Sequence, residues 1–498
     1  MPERLDDEDL LEILQREEDA ASNYVHGTLG SERERAMREY HRLPYGNEVD
    51  GESQIVASDV QDSIEWILPA LLKTFTGTDK AVSFEPSTQN DVKGAEQATD
   101  TCNYVFYKQN NGFLVLYTAI KDMLTVKNCA VMWRKEEQET VSSVPFKQAS
   151  EEMLTMMLQE DDAEIESANP EEVMTEMGPM VVYSGRIKKT EKKRIVKVEA
   201  FSPDSLLVKR DWTSPLLHDC PYVSRMMRVT LSDLKQMGLD ATVDDLKASD
   251  NVDFDSEESR LTNVQDQTQD LYVGDSDDDS MAEGWLRIEF VLADKDGDGI
   301  AERLCVYRLQ NKILKCEVVS HVPIATSSPI LNTHRWDGMS MADAVSDLQK
   351  LHTELLRQTL NNLYLTNNPR SLVLVDSNGT MKANIDDLLD SRAGGIVRGQ
   401  STDAVTPLVV PFSAGASLPM LEYVQGMREN RTGVSRTSMG MNPDSLNNTA
   451  TGRQIDMSAS MQRIELIARI IAETLVKPIF QGILKVLTDG DMEKLAFR

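Results

Sequence analysis

The chain has 498 residues, 40% of them hydrophobic and 27% charged, with a formal net charge of −30, which gives material for about two to four cored domains and excludes a disordered chain. The charge excludes tight nucleic-acid binding over the whole surface, since gripping phosphates needs a basic stripe. Solubility and a surface over which nucleic acid slides without sticking both remain open readings of it.

Cys102, Cys129, Cys220, Cys305 and Cys316 are odd in number and lack CxxC spacing, which argues against a disulfide framework and a zinc site and fits a reducing, cytosolic setting. The acidic start MPERLDDEDLLEIL is no signal peptide, and no run of about 18 apolar residues offers a membrane span. The expectation is a soluble protein.

Residues 1–45 read as an arm of two polar helices, Leu5 to Asp19 and Ser31 to Arg42, lying on the surface. From Gln54, Val60, Ile64, Ile67, Leu68, Leu71, Leu72 and Phe75 recur at helical spacing, with Ile55 ahead of them and Pro69 a kink. Val92 to Lys121 predicts helix anchored by Val105, Phe106, Phe113, Tyr117 and Ile120, and Val126 to Arg134 a buried strand. Glu151 to Met177 carries ten acidic residues and no basic one, which reads as a solvated acidic helix pair or a scaffold-facing surface. The seven Lys and Arg residues between Arg186 and Lys197 fit either hairpin strands guarded at an edge by lysine or a nucleic-acid patch. His218, Asp219 and Cys220 have no second cluster beside them, so a structural role is expected. Residues 240–284 form an acidic, weakly periodic insertion.

Trp285 to Val319 alternates as two or three strands around an Asp/Gly turn. There Asp294, Asp296, Asp298 and Gly299 match the first half of an EF-hand loop, but its twelfth position is Cys305 and strands flank it, so the trio is a weak calcium candidate. The same FVLADKDGD also looks like the nucleophile motif of haloacid-dehalogenase-type phosphatases, which makes a hydrolase built on Asp294 and Asp296 the enzyme alternative. No other catalytic residue and no cofactor is implied, and no Walker motif is present.

Ser340 and Asp343 form a capping box opening a helix with Met341, Ala344, Val345, Leu348, Leu351, Leu355, Thr359 and Leu363 on its apolar face and Asp343, Asp347, Lys350, Glu354 and Gln358 opposite. It stops at Asn367-Asn368-Pro369. Short strands in SLVLV, GIVR and AVTPLVVPF surround the small helix NIDDLLD, and Ser417 with Pro419 starts another helix to about Asn430. Arg431 to Gly452 is rich in Gly, Ser, Thr and Asn and reads as a loop. Thr451 and Gln454 then cap a helix of roughly 35 residues, about 50 Å, with Ile455, Ala459, Ile464, Ile467, Ile470, Ile471, Leu475, Ile479, Ile483 and Leu487 at near-helical period and a kink at Pro478. Such a helix suits a mechanical part more than a catalytic pocket.

The run TGVSRTSMGMNPDSLNNTATG followed by QRIELIARIIAETLVKPIF resembles the tunnel loop and kinked helix of phage portal (head-to-tail connector) proteins of the short-tailed type. The helix after Gln54 and the stretch from Val198 to Asp240 are similar to the same family, and the likeness covers most of the chain from Gln54 onward. It implies an α+β, mainly helical portal fold with an N-terminal arm at 1–45, a wing at 46–335, a first stem helix at 336–366, a clip at 367–415, a second stem helix at 416–430, a tunnel loop at 431–452 and a long helix at 453–498. A further helical crown, usual in the family, is expected to be short or missing here.

The resemblance also implies a non-enzymatic dodecameric ring at one capsid vertex of the virion, assembled in the host cytoplasm, through which double-stranded DNA passes without sequence specificity. The implied partners are the terminase large subunit, head-tail adaptor and tail proteins, and capsid and scaffolding proteins. Arg431, Arg436, Asn442, Asn447 and Asn448 of the tunnel loop become the expected DNA contacts. Asp386, Asp387 and Asp390, turned away from Ile385, Leu388 and Leu389, become the terminase or adaptor contacts. A scaffolding or adaptor protein that uses the same helices in a bundle without a ring is the other alternative.

Overall fold

The computed structural model describes residues 5–488 except 79, 87, 89–90, 159–162, 176–177, 250–278, 391, 393 and 434–461. It shows an α+β architecture built on three antiparallel sheets, of four, five and two strands.

The N-terminal region is not the surface arm expected from its charge. Helix α1 (Asp7–Ser22), a π-turn (Asn23–Leu29) and α2 (Gly30–Tyr40) run on continuously, and Leu10, Leu14, Val25 and Leu29 are buried in the same core as the five-stranded sheet. Charge anchors the arm as well. Glu18 pairs with Arg287 and Arg308, and buried Arg33 donates to Pro203 O at 3.1 Å and Asn128 Oδ1 at 2.6 Å. Arm cations and carboxylates that look solvated in the sequence are thus matched by partners far along the chain.

Helix α3 (Asp59–Thr76) keeps its expected apolar face. It passes through Pro69 because that residue faces solvent, where a missing N–H costs least. Helices α4 (Val92–Tyr104) and α5 (Gly112–Val126), joined by a π-turn (Val105–Gln109), follow. Val105, Phe106 and Ile120 are core residues, whereas Phe113 is exposed.

Strand β1 (Cys129–Ala149) is much longer than its apolar start, because its outer half pairs along β3 (Gly178–Phe201). The acidic stretch expected as two helices supplies only one, α6 (Glu151–Leu158); Ala163–Thr175 is strand β2 on the far side of β3. Strand β3 is therefore internal, not a lysine-guarded edge. Its cationic run meets an acidic neighbour on β1 instead: Lys197 pairs with Glu136 at 3.1 Å, and opposite charges across a ladder favour pairing.

The second sheet holds β4 (Leu206–Val208), β5 (Tyr222–Thr230), β6 (Glu283–Ala293), β7 (Glu302–Leu309) and β8 (Lys312–Val318), the last three forming the expected meander. Helix α7 (Leu231–Gln236) starts at a Thr230–Asp233 capping box. Within the expected acidic insertion, α8 (Val243–Ser249) buries Leu246 against Gly284, so that end is packed.

Strand β9 (Ile324–Ser327) leads to α9 (Met341–Asn367), which opens on the expected Ser340–Asp343 box. Between α9 and α11 (Leu418–Thr432) lies a small module with β10 (Ser371–Val373), α10 (Ile385–Leu389) and β11 (Val405–Pro407). GIVR is not a strand there; its neighbour Gly399 makes a single bridge to Ala383. The final helix is described as α12 (462–471), a π-turn (Ala472–Val476) and α13 (Lys477–Thr488). Ahead of Pro478 the helix widens into that π-turn, in which the Lys477 N–H reaches back to Ala472 O. Far from standing clear of the globular body, this half of the helix buries Ile467, Ile471, Leu475, Ile479, Phe480 and Ile483 in the same core as α3, α5 and β1. Gly482 is required there, since a Cβ would lie 2.1 Å from the Trp133 ring. No helix among the described residues is long and apolar enough to cross a membrane.

Candidate functional site: two long helices, a surface module and an acidic turn

Helix α9 carries two stripes. Met341, Val345 and Leu348 fill the core, but further along Leu351 and Leu363 are exposed. The stripe that holds the chain together here is polar, at four-residue spacing, and was missed by an apolar-period reading. Gln349 Oε1 accepts from Val60 N at 2.8 Å, Thr353 Oγ1 from Ala57 N at 3.1 Å and Asn361 Oδ1 from Ser53 N at 2.7 Å. Between them Arg357 donates to Ile55 O and Asn47 Oδ1, both at 2.8 Å, and to Glu48 at 2.5 Å. Backbone groups of Ser53, Ile55, Ala57 and Val60 are thereby satisfied by side chains of one helix. The Arg357 bond, with backbone N–H groups assisting, draws the Glu48 carboxyl down to about 2.

Asp59, at the start of α3, is buried and accepts from His352 Nδ1 of α9 at 2.6 Å and Arg428 NH1 of α11 at 2.8 Å. One carboxylate joins three helices. A second tie lies a turn further along α11, where Arg431 NH1 donates to Asp347 Oδ1 at 2.5 Å and Ala344 O at 3.2 Å, holding Asp347 below the usual carboxylate range. Arg431, placed by sequence in the loop, thus belongs to the last turn of a helix that Gly433 caps in the left-handed region. Its charge is shared with Asp347. Arg436, Asn442, Asn447 and Asn448, as well as Thr451 and Gln454, lie outside the described residues.

In the module between α9 and α11, Asn384 caps α10 through the Asp386 N–H. Asp387 accepts from Arg398 Nε at 2.8 Å, NH2 at 2.9 Å and its backbone N at 3.1 Å, and Asp390 accepts from Arg392. Each arginine holds its carboxyl below the usual range. Two of the three carboxylates expected to face a partner are therefore already paired within the module; Asp386 is exposed. The expected inward face also differs, since Ile385 and Leu389 lie at the surface.

The Asp294 turn organises itself. Asp294 accepts from Gly297 N at 2.7 Å and Gly299 N at 2.8 Å, Asp298 from Ile300 N at 2.7 Å, and Glu302 from Lys295 N at 3.0 Å. Gly297 and Gly299 have φ near +79° and +90°, the conformation glycine tolerates. One oxygen each of Asp294, Asp296, Asp298 and Glu302 falls within a 4.8 Å cluster. The Asp298 N–H lowers the pKa of Asp296, but desolvation and the charges of Asp298, Glu302 and Asp294 outweigh it and raise the value. The phosphatase reading needs a parallel sheet, whereas β6 is antiparallel to both its neighbours, and both Asp294 oxygens are engaged by the backbone. His218 and Asp219 pair at 2.8 Å on the surface, with Cys220 buried and bonded to Tyr222 O.

The described geometry is one of long helices tied together by ion pairs and of a small surface module between them. A family model described as Phage SU10 portal protein matches residues 10–498. No curated protein matches the chain. Because that match spans nearly the whole sequence, the chain belongs to this family of structural portal proteins of a short-tailed phage type.

Proposed function

We propose that the protein assembles as a closed ring of twelve copies at one capsid vertex, and that double-stranded DNA is packaged and ejected through its channel. The observation that carries the ring is the surface of the module between α9 and α11, the clip of this reading. Leu389 is 76% exposed, Ile396 86%, Val409 79% and Phe412 58%, and Tyr423 on α11 is 62% exposed. Apolar side chains concentrated on one small module mark an interface, and a head-to-tail contact between two different, complementary patches, repeated around an axis, closes a ring. The number twelve rests on the family resemblance.

In this reading the loop between α11 and α12 faces DNA with Arg436, Asn442, Asn447 and Asn448, and Arg431 backs it from the helix end. Weak contacts repeated around a ring hold DNA without preventing its passage. Asp386, with Asp387 and Asp390 behind it, serves the terminase large subunit and later the head-tail adaptor and tail proteins. Capsid and scaffolding proteins meet the wing. The site of action is the portal vertex of the virion, after assembly in the host cytoplasm.

Negative-stain images and native mass spectra of the purified chain test the ring. Closed rings of cyclic symmetry are expected, and monomers or dimers at micromolar concentration would refute it in favour of an adaptor that works without a ring.

A further inference from the structure

A cavity of about 400 Å³ opens beside the junction of the last π-turn with α13. Its wall is apolar: Trp133 of β1, Leu217, Ile324 of β9 and Pro478, with Gly482 against the indole. Volumes of this order hold ligand groups in proteins, and π-turns recur at functional sites. The His321 ring lies nearly parallel to Trp133, centroids 6.3 Å apart, at the edge of the opening.

The rim is cationic in a chain of net charge −30. Lys477 is paired with Glu473 at 2.9 Å. Lys485 is different: its ammonium donates to Ser320 Oγ at 2.6 Å and contacts His321 Nδ1 at 3.2 Å, and it makes no salt bridge among the described residues. Lys477, Gln481 and Lys485 follow one another at four-residue intervals along α13 beside the opening. That stripe rises about 12 Å, a straight track of donors that matches a few residues of extended polypeptide better than a compact small molecule.

We propose that this cavity is a docking site for an acidic peptide segment of a partner protein, which seats one bulky apolar side chain against Trp133 and sets a carboxylate on Lys485. The apolar wall supplies burial and the cation supplies sign and register. This site is separate from the clip and stem contacts, so it stands or falls apart from the ring.

The test uses the full chain and a fluorescein-labelled hexapeptide with a central Phe flanked by Asp and Glu, followed by anisotropy at low and high salt. The peptide should bind more weakly at high salt, and replacing its Phe by Ala should cost at least about tenfold. Lys485→Glu should weaken it by at least about tenfold, Lys485→Gln by less, and Gln481→Trp, which plugs the mouth from the exposed side, should abolish it. Thermal melting of all three variants should match the parent. Absence of binding, equal binding of a Lys-flanked Phe peptide, or equal binding to Lys485→Glu and Gln481→Trp would overturn the proposal. So would full displacement of the peptide by phenylacetate, which would make this a small-molecule site, or a change in the chain's self-association in Lys485→Glu, which would give the cavity to a second copy.

Discussion

Asp59 shows how much one side chain can decide. It is buried with His352 and Arg428 as its ligands, and removing one member of a buried pair strands the others; Asp59→Ala should cost about 3–5 kcal/mol in urea unfolding. Gly482→Ala should lower stability by about 1–3 kcal/mol, since the new methyl meets Trp133 within its contact distance and the ring must shift. Glu48 gives a pH signature. Its carboxyl is held at about 2 in the folded chain against an ordinary 4.5, so the Arg357 pair contributes fully above 4.5 and is lost as pH falls through about 2. Between those values the parent should lose stability relative to Glu48→Gln, and the gap between their urea midpoints should close. None of these pairings was readable in the sequence, because Asp59 and His352 are 293 residues apart and composition does not say which of many carboxylates is buried.

At the scale of elements, what was legible was local. The Ser340–Asp343 box, the α3 apolar face and the β6–β8 meander depend on residues within a few positions of each other, and they stand where their patterns put them. Ser340→Ala should cost about 1 kcal/mol in chemical denaturation, the usual cost of an N-cap. What was illegible depended on a partner strand. Ala163–Thr175 carries acidic residues that favour no strand alone, yet β3 alongside provides the ladder that makes it one. The same holds for α1, whose carboxylates look like a solvated face until Arg287 and Arg308 are folded beside them. The candidate site divides in the same way: its helices could be read from period and caps, while the ion pairs that spend Arg431, Asp387 and Asp390 could not.

For the whole molecule, the family was legible because it is carried by element order and by an extended run of residues, and the match over 10–498 bears that out. Assembly can be separated from fold by surface variants. Leu389→Asp with Val409→Asp should leave the melting temperature of the chain near that of the parent and shift mass photometry toward monomers, because both residues are largely exposed in one copy. Asp386→Lys should spare oligomer formation and weaken binding of the terminase large subunit in pull-down and titration. It is a cleaner probe than reversing all three aspartates, which would also break the Arg398 and Arg392 pairs.

The junction at Asp59 has a mechanical consequence. The module at the far end of α9 and α11 is tethered to the remainder of the described chain by those two helices, and both are pinned to the start of α3 through one carboxylate. A twist applied to the module travels down two rods and arrives at a common rivet, with Arg357 and Asp347 as stays on either side. Rods that share a rivet resist sliding past each other, so α9, α11 and the start of α3 are joined as a single frame.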